Sequence, residues 1–117
     1  MDLDHAIKAH VEWKAKLRGA ISAQSQMDAI SAGKDNACEF GKWLHGEGQS
    51  KYSKFKTFSE CVTAHAAFHR EAGKVAQLIN EKKYTQAEAA LSGNSPFNAA
   101  SGTTGVAITR LKKDAGL

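Results

Sequence analysis

Two histidines four residues apart, His65 and His69, constrain this chain more than any other feature of its sequence. They lie in the segment ECVTAHAAFHRE, whose apolar residues recur with a helical period. Residues i and i+4 of an α-helix project from one face, with Cβ atoms about 5–6 Å apart. Because two imidazoles at that spacing can bind one metal ion, we expect a helix with a ligand pair on its inner face.

Two more residues of the metal-ligating type lie upstream, His10 in AHVEWKAKL and Cys38 in ACEFGKWL. Three imidazoles and one thiolate complete a tetrahedral zinc set. Four protein ligands leave no position for water, which is typical of a structural or regulatory site rather than a catalytic one. The sequence therefore predicts no catalytic residues, no enzymatic activity, and one Zn²⁺ bound by His10, Cys38, His65 and His69.

The second cysteine and the other histidines have simpler explanations than metal binding. Cys61 precedes His65 by one turn and could compete for the ion, but a cysteine in an apolar stripe usually acts as a small core residue. His45 lies seven residues after Cys38, roughly 10 Å along a helix, and is expected to face solvent, as is His5. A single histidine on an apolar stripe is more often a core residue with satisfied hydrogen bonds than a metal ligand. The i, i+4 pair argues against it, because buried imidazoles need partners.

Catalytic metal sites fit the sequence less well. A zinc protease has a glutamate directly after the first histidine, in H-E-x-x-H, and here that position is Ala66. Di-iron bundles use Glu-x-x-His, whereas Val62 and Ala66 stand three residues before the two histidines. An enzyme with an open metal position would require one of the four donors to be missing from the site.

Length and charge exclude several other classes of protein. The chain has 117 residues, 42% hydrophobic and 24% charged, as expected of one globular domain covering residues 1–117. The net charge is +4, but the lysines are scattered and no nucleic-acid motif accompanies them, so we expect no nucleic-acid binding. Apolar runs fall far short of the ~20 residues that span a bilayer, and MDLDHAIKAH does not resemble a signal peptide. We therefore expect a cytoplasmic location, no membrane contact, and cysteines that are free thiols or metal ligands rather than a disulfide.

Periodicity predicts helices almost throughout, with one proline and no alternating strand pattern. The short helix after Asp35 or Asn36 carries Cys38 in its first turn, where the helix dipole favours a thiolate. Gly46 to Gln49 are expected to end it. The fold class predicted is all-α, an antiparallel four-helix bundle with an additional short helix carrying the cysteine ligand. The expected helices cover about residues 3–23, 36–45, 53–81, 85–91 (opened by a Thr85/Glu88 capping box) and 96–114 (opened by Ser95-Pro96).

Three residues within these helices have specific expectations. Trp13 lies one turn after His10, where its ring could separate the site from water. Gly41 lies in the Cys38 helix, and a glycine there costs about 1 kcal/mol relative to alanine, which indicates close approach by another helix. Gly102 and Gly105 weaken the prediction for the first half of the last helix.

The three motifs His10-Val-Glu-Trp13, Cys38-Glu-Phe-Gly41-Lys-Trp43 and His65-x-x-x-His69 together resemble the bacterial chemoreceptor zinc-binding domain, and their intervals are similar too. The resemblance covers essentially the whole chain. It implies a helical bundle, often a homodimer, in which these three histidines and Cys38 bind zinc. That family is attached to soluble chemoreceptors and diguanylate cyclases, and it also occurs as free-standing proteins.

The resemblance implies a regulatory or sensory domain of bacterial signalling, in chemotaxis or cyclic-di-GMP control, that senses zinc or oxidants such as hypochlorous acid through the ligand cysteine. It would act on an output domain or a partner protein, and both a free-standing sensor and an excised part of a receptor stay open. The alternative is a zinc-stabilised structural or dimerisation module without a sensing role. A C2 homodimer is expected because apolar residues such as Trp13 and Phe55 exceed the need of one small bundle.

Overall fold

The computed structural model describes all 117 residues, which form seven helices and no strand. The all-α class predicted from the sequence is confirmed. None of the helices combines the length and the apolar character that a membrane span requires. The helices are α1 (Leu3–Ala23), α2 (Ala29–Ala32), α3 (Glu39–Leu44), α4 (Glu47–Tyr52), α5 (Lys56–Asn80), α6 (Tyr84–Ala90) and α7 (Pro96–Ala115).

The first and last helices begin where their capping residues predict. The Asp2 carboxylate accepts hydrogen bonds from the N–H groups of Asp4 and His5, which starts α1. The Ser95 hydroxyl accepts from the Asn98 N–H, with Pro96 as the first residue of α7. The helix predicted for this last segment is confirmed through its first half as well, because α7 continues through Gly102 and Gly105 without a break.

Three local predictions are corrected. Cys38 is the N-cap of α3 itself, with its Sγ accepting from the Gly41 N–H, so it does not lie inside a turn capped by Asp35 or Asn36. The Cys38 helix ends at Leu44, as predicted near His45, but Gly46 to Gln49 do not form a loop, because α4 begins at Glu47. An ideal Cβ on Gly48 would lie 2.9 Å from the Trp43 ring, so the glycine lets α4 continue beneath that ring.

The Thr85/Glu88 capping box is also absent. Lys82 adopts a positive φ of 62°, and the Ala87 N–H then donates to the carbonyl of Lys83. This turn starts α6 one residue earlier than predicted, so Thr85 lies inside the helix and no side chain caps it.

The apolar interior consists of two cores, here called core A and core B. Core A contains Leu17, Ala20, Ala32, Phe68, Ala72, Val75, Ala76, Ile79, Ala87, Leu91 and Phe97. Core B contains Leu3, Ala6, Phe40, Leu44, Phe58, Cys61, Ala64, Ala107, Ile108 and Leu111. Between them, along the three long helices, lie the four buried polar side chains of the molecule, here called the polar layer: His10, His65, His69 and Thr104.

The two cores give the direction of each helix. Helices α1 and α5 both run from core B to core A, and α7 runs in the opposite direction. The connection from α1 to α5 returns through α2, which adds Ala32 to core A, and α3, which adds Phe40 and Leu44 to core B. This broken return passes the polar layer at Cys38, and so brings the cysteine beside the histidines.

Candidate metal centre

Four side chains from three parts of the chain meet in the polar layer. His10 comes from α1, His65 and His69 from α5, and Cys38 from the N-cap of α3, and one nitrogen or sulfur of each lies within 4.8 Å of the others. The three histidines are at most 5% exposed, and Cys38 is half-buried. The structure therefore brings together all four residues named from the sequence.

Backbone carbonyls orient two of the imidazoles. His10 Nδ1 donates to the carbonyl oxygen of Ala6 at 2.6 Å, and His69 Nδ1 donates to that of Ala32 at 3.0 Å. A carbonyl oxygen only accepts, so Nδ1 carries the proton in both rings and Nε2 keeps its lone pair. This arrangement, a ligating histidine held through its other nitrogen, is typical of metal sites.

Two of the spacings between the donor atoms match those around one tetrahedral ion. The Cys38 Sγ lies 3.3 Å from His65 Nε2 and 3.5 Å from His69 Nε2. Zinc bonds of about 2.0–2.3 Å at tetrahedral angles place neighbouring ligand atoms about 3.3–3.6 Å apart. His10 Nε2 is buried without a hydrogen-bond partner, which is rare for a polar atom that has no other function. The residues present thus fit the metal that their chemistry suggests.

Burial keeps the histidines in the neutral form that binds metals. Burial, together with the nearby His69, His10 and His45, lowers the pKa of His65 to about 2. Burial also lowers the pKa of His10 and of His69, although the hydrogen bonds to backbone carbonyls partly oppose it. Since protons and metals compete for the same lone pairs, neutral imidazoles favour metal binding.

The two cysteines differ in exposure and in whether hydrogen bonds offset the effect of burial on the thiol pKa. Burial raises the pKa of Cys38, and the N–H groups of Gly41 and Phe40 at the start of α3 partly offset this effect. Burial alone raises the pKa of Cys61 to about 12. The helix N-terminus therefore favours the Cys38 thiolate, as predicted, but burial is the larger effect in the metal-free protein. A positive ion beside the sulfur would reverse that balance.

Aromatic rings enclose the site. Phe40 and Phe68 pack edge-on against the His10 ring, with centroids 5.6 and 5.3 Å away. The half-buried Trp13 ring stands edge-on to His69 at 5.9 Å, one turn past His10, where the sequence suggested it would lie. Such rings exclude water and strengthen electrostatic interactions within the site.

The remaining histidines and Cys61 lie outside the cluster. Cys61 is fully buried in core B, as predicted. His5 is exposed, and the His45 side chain is 43% exposed, with its Nε2 3.0 Å from the carboxylate of Asp35. The contact between His45 and Asp35 was not predicted, because it joins residues ten positions apart through the fold of a loop. The carbonyls of Ala6 and Ala32 were not predicted either, because backbone groups carry no residue signature.

The family model of the chemoreceptor zinc-binding domain matches residues 10–76, more than half of the chain. The matched segment begins at His10 and contains the other three residues of the cluster. Comparison with curated proteins finds no match, and comparison with solved structures finds none either. The match to the family model agrees with the donor set in the polar layer, and the chain belongs to the chemoreceptor zinc-binding domain family.

Proposed function

We propose that this protein is a zinc-binding regulatory domain of bacterial signalling, with His10, Cys38, His65 and His69 as the ligands of one Zn²⁺. The observation that carries the proposal is the unpartnered Nε2 of His10, buried and within 4.8 Å of the three other donors. A bound zinc ion would supply positive charge that stabilises the Cys38 thiolate. The chain itself holds the imidazoles neutral and oriented.

Metal analysis tests the ligand set directly. Zinc-loaded protein should contain one zinc per chain after dialysis, and single alanine replacements of the four residues should each reduce that content. His45→Ala and Cys61→Ala serve as matched controls, because neither residue belongs to the cluster. Full zinc content in Cys38→Ala, or its loss in His45→Ala, would contradict the assignment.

The sensory role proposed for the domain rests on the position of Cys38 at the start of α3. The segment of residues 33–37 before it has mostly exposed side chains, whereas Phe40 and Leu44 anchor α3 in core B. A change at the sulfur would therefore act on this segment more than on the helix that follows. We propose zinc level or oxidation as the signal and a cis or trans output partner as the receiver, in chemotaxis or cyclic-di-GMP control.

Oxidation by hypochlorous acid follows a balanced course. The Cys38 thiolate attacks chlorine, the S–Cl bond forms and hydroxide leaves; water then replaces chloride to give sulfenic acid. Sulfur loses two electrons, and the chlorine ends as chloride. Sulfenic acid is a poorer ligand than thiolate, so zinc affinity should fall. The experiment is titration of zinc release against the stoichiometry of added oxidant, compared with Cys38→Ser.

A structural module without sensing is the second candidate. It is favoured by the position of the site between two cores, where an ion would join α1, α3 and α5. Under this alternative, zinc would stay bound at any cellular concentration of free zinc and Cys38 would resist oxidation. Zinc affinity and the oxidation rate of Cys38 separate the two candidates.

A homodimer is part of the proposal, with a revised surface. Trp13 and Phe55, which motivated the dimer, pack against the cores of their own chain. Among the exposed apolar residues, Val11 on α1, 64% exposed, and Val106 on α7, 53% exposed, flank one groove, whereas Ile30 on α2, 73% exposed, lines a different one. We propose that a second copy covers this groove. Sedimentation should give a dimer that Val106→Asp dissociates; an unchanged dimer would reject this surface.

The remaining proposals concern architecture and location. We propose that residues 1–117 form one domain, a four-helix bundle in which α1, α5 and α7 are the long members and the broken segment of α2 and α3 is the fourth. We also propose a cytoplasmic location, which the absence of a membrane-spanning helix allows. Limited proteolysis tests the first proposal, since a single domain should yield no stable fragment shorter than the bundle.

A further inference from the structure

Two separate cavities are lined in part by Cys38. The first has a volume of about 50 Å³ and lies beside the start of α1, where Ala9 and His10 line it. The second has a volume of about 220 Å³ and lies beside α2, where Ser31 and His69 line it. Cys38 and Trp13 are the two residues that line both.

The cavities differ in what they admit. A volume of about 50 Å³ holds a few water molecules or a solute of similar size. The cavity beside α2 is more than four times larger and also reaches His69, whose Nδ1 is held by the Ala32 carbonyl. Neither cavity reaches His65, which is fully buried. The ligand residues that line a cavity are thus Cys38, His10 and His69.

Three neighbours hold Trp13 in place. Its ring is edge-on to His69, with centroids 5.9 Å apart, and it packs against core A. The Lys16 ammonium lies 5.1 Å from the ring centroid, a distance at which a cation and an aromatic face attract. A rigid indole between two cavities acts as a partition, because removing it would join them into one opening over the sulfur.

We propose that Trp13 controls access to the Cys38 sulfur: its indole separates the two cavities and leaves the one beside α2 as the route for any reagent or chelator larger than a few atoms. The ligand class that this geometry admits freely is the small solute, including water and oxidants of two or three heavy atoms. Bulkier thiol reagents and metal chelators must approach between α2 and Trp13. This inference rests on the proposed zinc site and deepens it by naming how that site is reached.

The test uses the metal-free full chain, so that it does not depend on zinc binding. Peptide mapping by mass spectrometry follows alkylation of Cys38 by iodoacetamide and, separately, by a maleimide carrying a fluorescein group. The ratio of the bulky to the small rate cancels changes in thiolate fraction between variants. Cys61 serves as an internal control, because it is fully buried and should stay unmodified while the protein is folded.

Three variants probe the partition and the two routes. Trp13→Ala should raise the rate ratio by about tenfold or more, since it opens the sulfur to bulky reagents. Ser31→Leu narrows the cavity beside α2 and should lower the ratio by at least about threefold. Ala9→Leu places the same side chain in the cavity beside α1 and should leave the ratio unchanged within about twofold.

A ratio unchanged by Trp13→Ala in the folded protein overturns the proposal, and so does an Ala9→Leu variant that lowers the ratio as much as Ser31→Leu. If Trp13→Ala does not fold by circular dichroism, the matched leucine pair decides. In zinc-loaded protein, transfer of zinc to a coloured chelator should be faster for Trp13→Ala and slower for Ser31→Leu. Failure to bind zinc at all would reject the proposed function but leave the alkylation ratios readable.

Discussion

The carbonyl oxygen of Asp35 lies so close to Gly41 that a Cβ on the glycine would be only 1.6 Å from it. The same Cβ would be 3.1 Å from the His65 ring. The absence of a side chain at Gly41 therefore lets the loop before Cys38 pack against α3 and lets α3 pack against the site. The sequence predicted close approach by another helix here. The approaching group is instead the backbone of a loop.

Gly41→Ala should therefore weaken both folding and zinc binding. The added methyl group would overlap the Asp35 carbonyl. We expect the unfolding free energy to fall by about 1–3 kcal/mol and Cys38 to be displaced from the site. Urea denaturation and zinc titration measure these effects. Gly19→Ala is the matched control, because a Cβ on this exposed glycine of α1 meets nothing within 4 Å. The control should be neutral or stabilising, and equal losses in both variants would contradict the close contact.

Replacement by serine should affect zinc affinity at one cysteine and folding stability at the other. Cys38→Ser removes a ligand and should reduce zinc affinity by more than about 100-fold, since loss of a group that only hydrogen-bonds to a ligand already costs about 10–100-fold. Cys61→Ser should keep the affinity but lower the unfolding free energy by about 1–3 kcal/mol, because it places a hydroxyl in core B. Competition with a zinc-binding dye and chemical denaturation give the two readouts. If Cys61→Ser lost zinc and Cys38→Ser kept it, Cys61 rather than Cys38 would be the sulfur ligand.

Acid should destabilise even the metal-free protein. The pKa of His65 is about 2 in the folded chain, well below its usual value near 6.5, so the unfolded state binds the proton more strongly. The stabilisation is complete above pH of about 6.5 and is lost as the pH falls toward about 2, by up to about 1.4 kcal/mol per pH unit. In zinc-loaded protein the same protons displace the metal.

Denaturation of the metal-free chain at pH 7.5, 6 and 5 checks this prediction. His65→Leu should reduce the slope of stability against pH, whereas His5→Leu, at an exposed position, should leave it unchanged. Zinc content that persists at pH 4 would indicate a different ligand set.

Oxidation should open a short segment only. After a stoichiometric pulse of hypochlorous acid on zinc-loaded protein, we expect faster amide hydrogen exchange in residues 33–41. The mostly exposed side chains of residues 33–37 give little anchorage once the sulfur is released, and the Gly41 N–H then loses the Cys38 Sγ as its acceptor. The buried Phe40 and Leu44 should limit exchange farther along α3. Cys38→Ser should show no response to the pulse. Modification of methionine or Cys61 first, with residues 33–41 still protected, would leave only the structural module standing.

Side-chain patterns predicted the long helices and the site, since the caps Asp2 and Ser95 and the i, i+4 histidines act through local chemistry. The regions that were wrong are those where tertiary contact decides the local structure. Helix α4 forms because Gly48 fits beneath Trp43, and Cys38 became an N-cap because the Asp35 loop packs onto Gly41. The sequence marks Gly41 as a point of close approach but does not identify the Asp35 loop as its partner, and no residue next to Gly48 identifies the Trp43 ring.

The polar layer has a consequence for how the molecule unfolds. An uninterrupted apolar core melts as one cooperative unit, because every side chain loses its neighbours at once. Here His10, His65 and His69 separate core A from core B. In the metal-free chain the two halves are therefore joined only by the long helices and by ring contacts such as those of His10 with Phe40 and Phe68. An ion bound by all three imidazoles would couple the halves across that gap. We therefore expect metal occupancy to set the number of cooperative units. Calorimetry should show one sharp unfolding transition when zinc is bound and two broader transitions when zinc is removed.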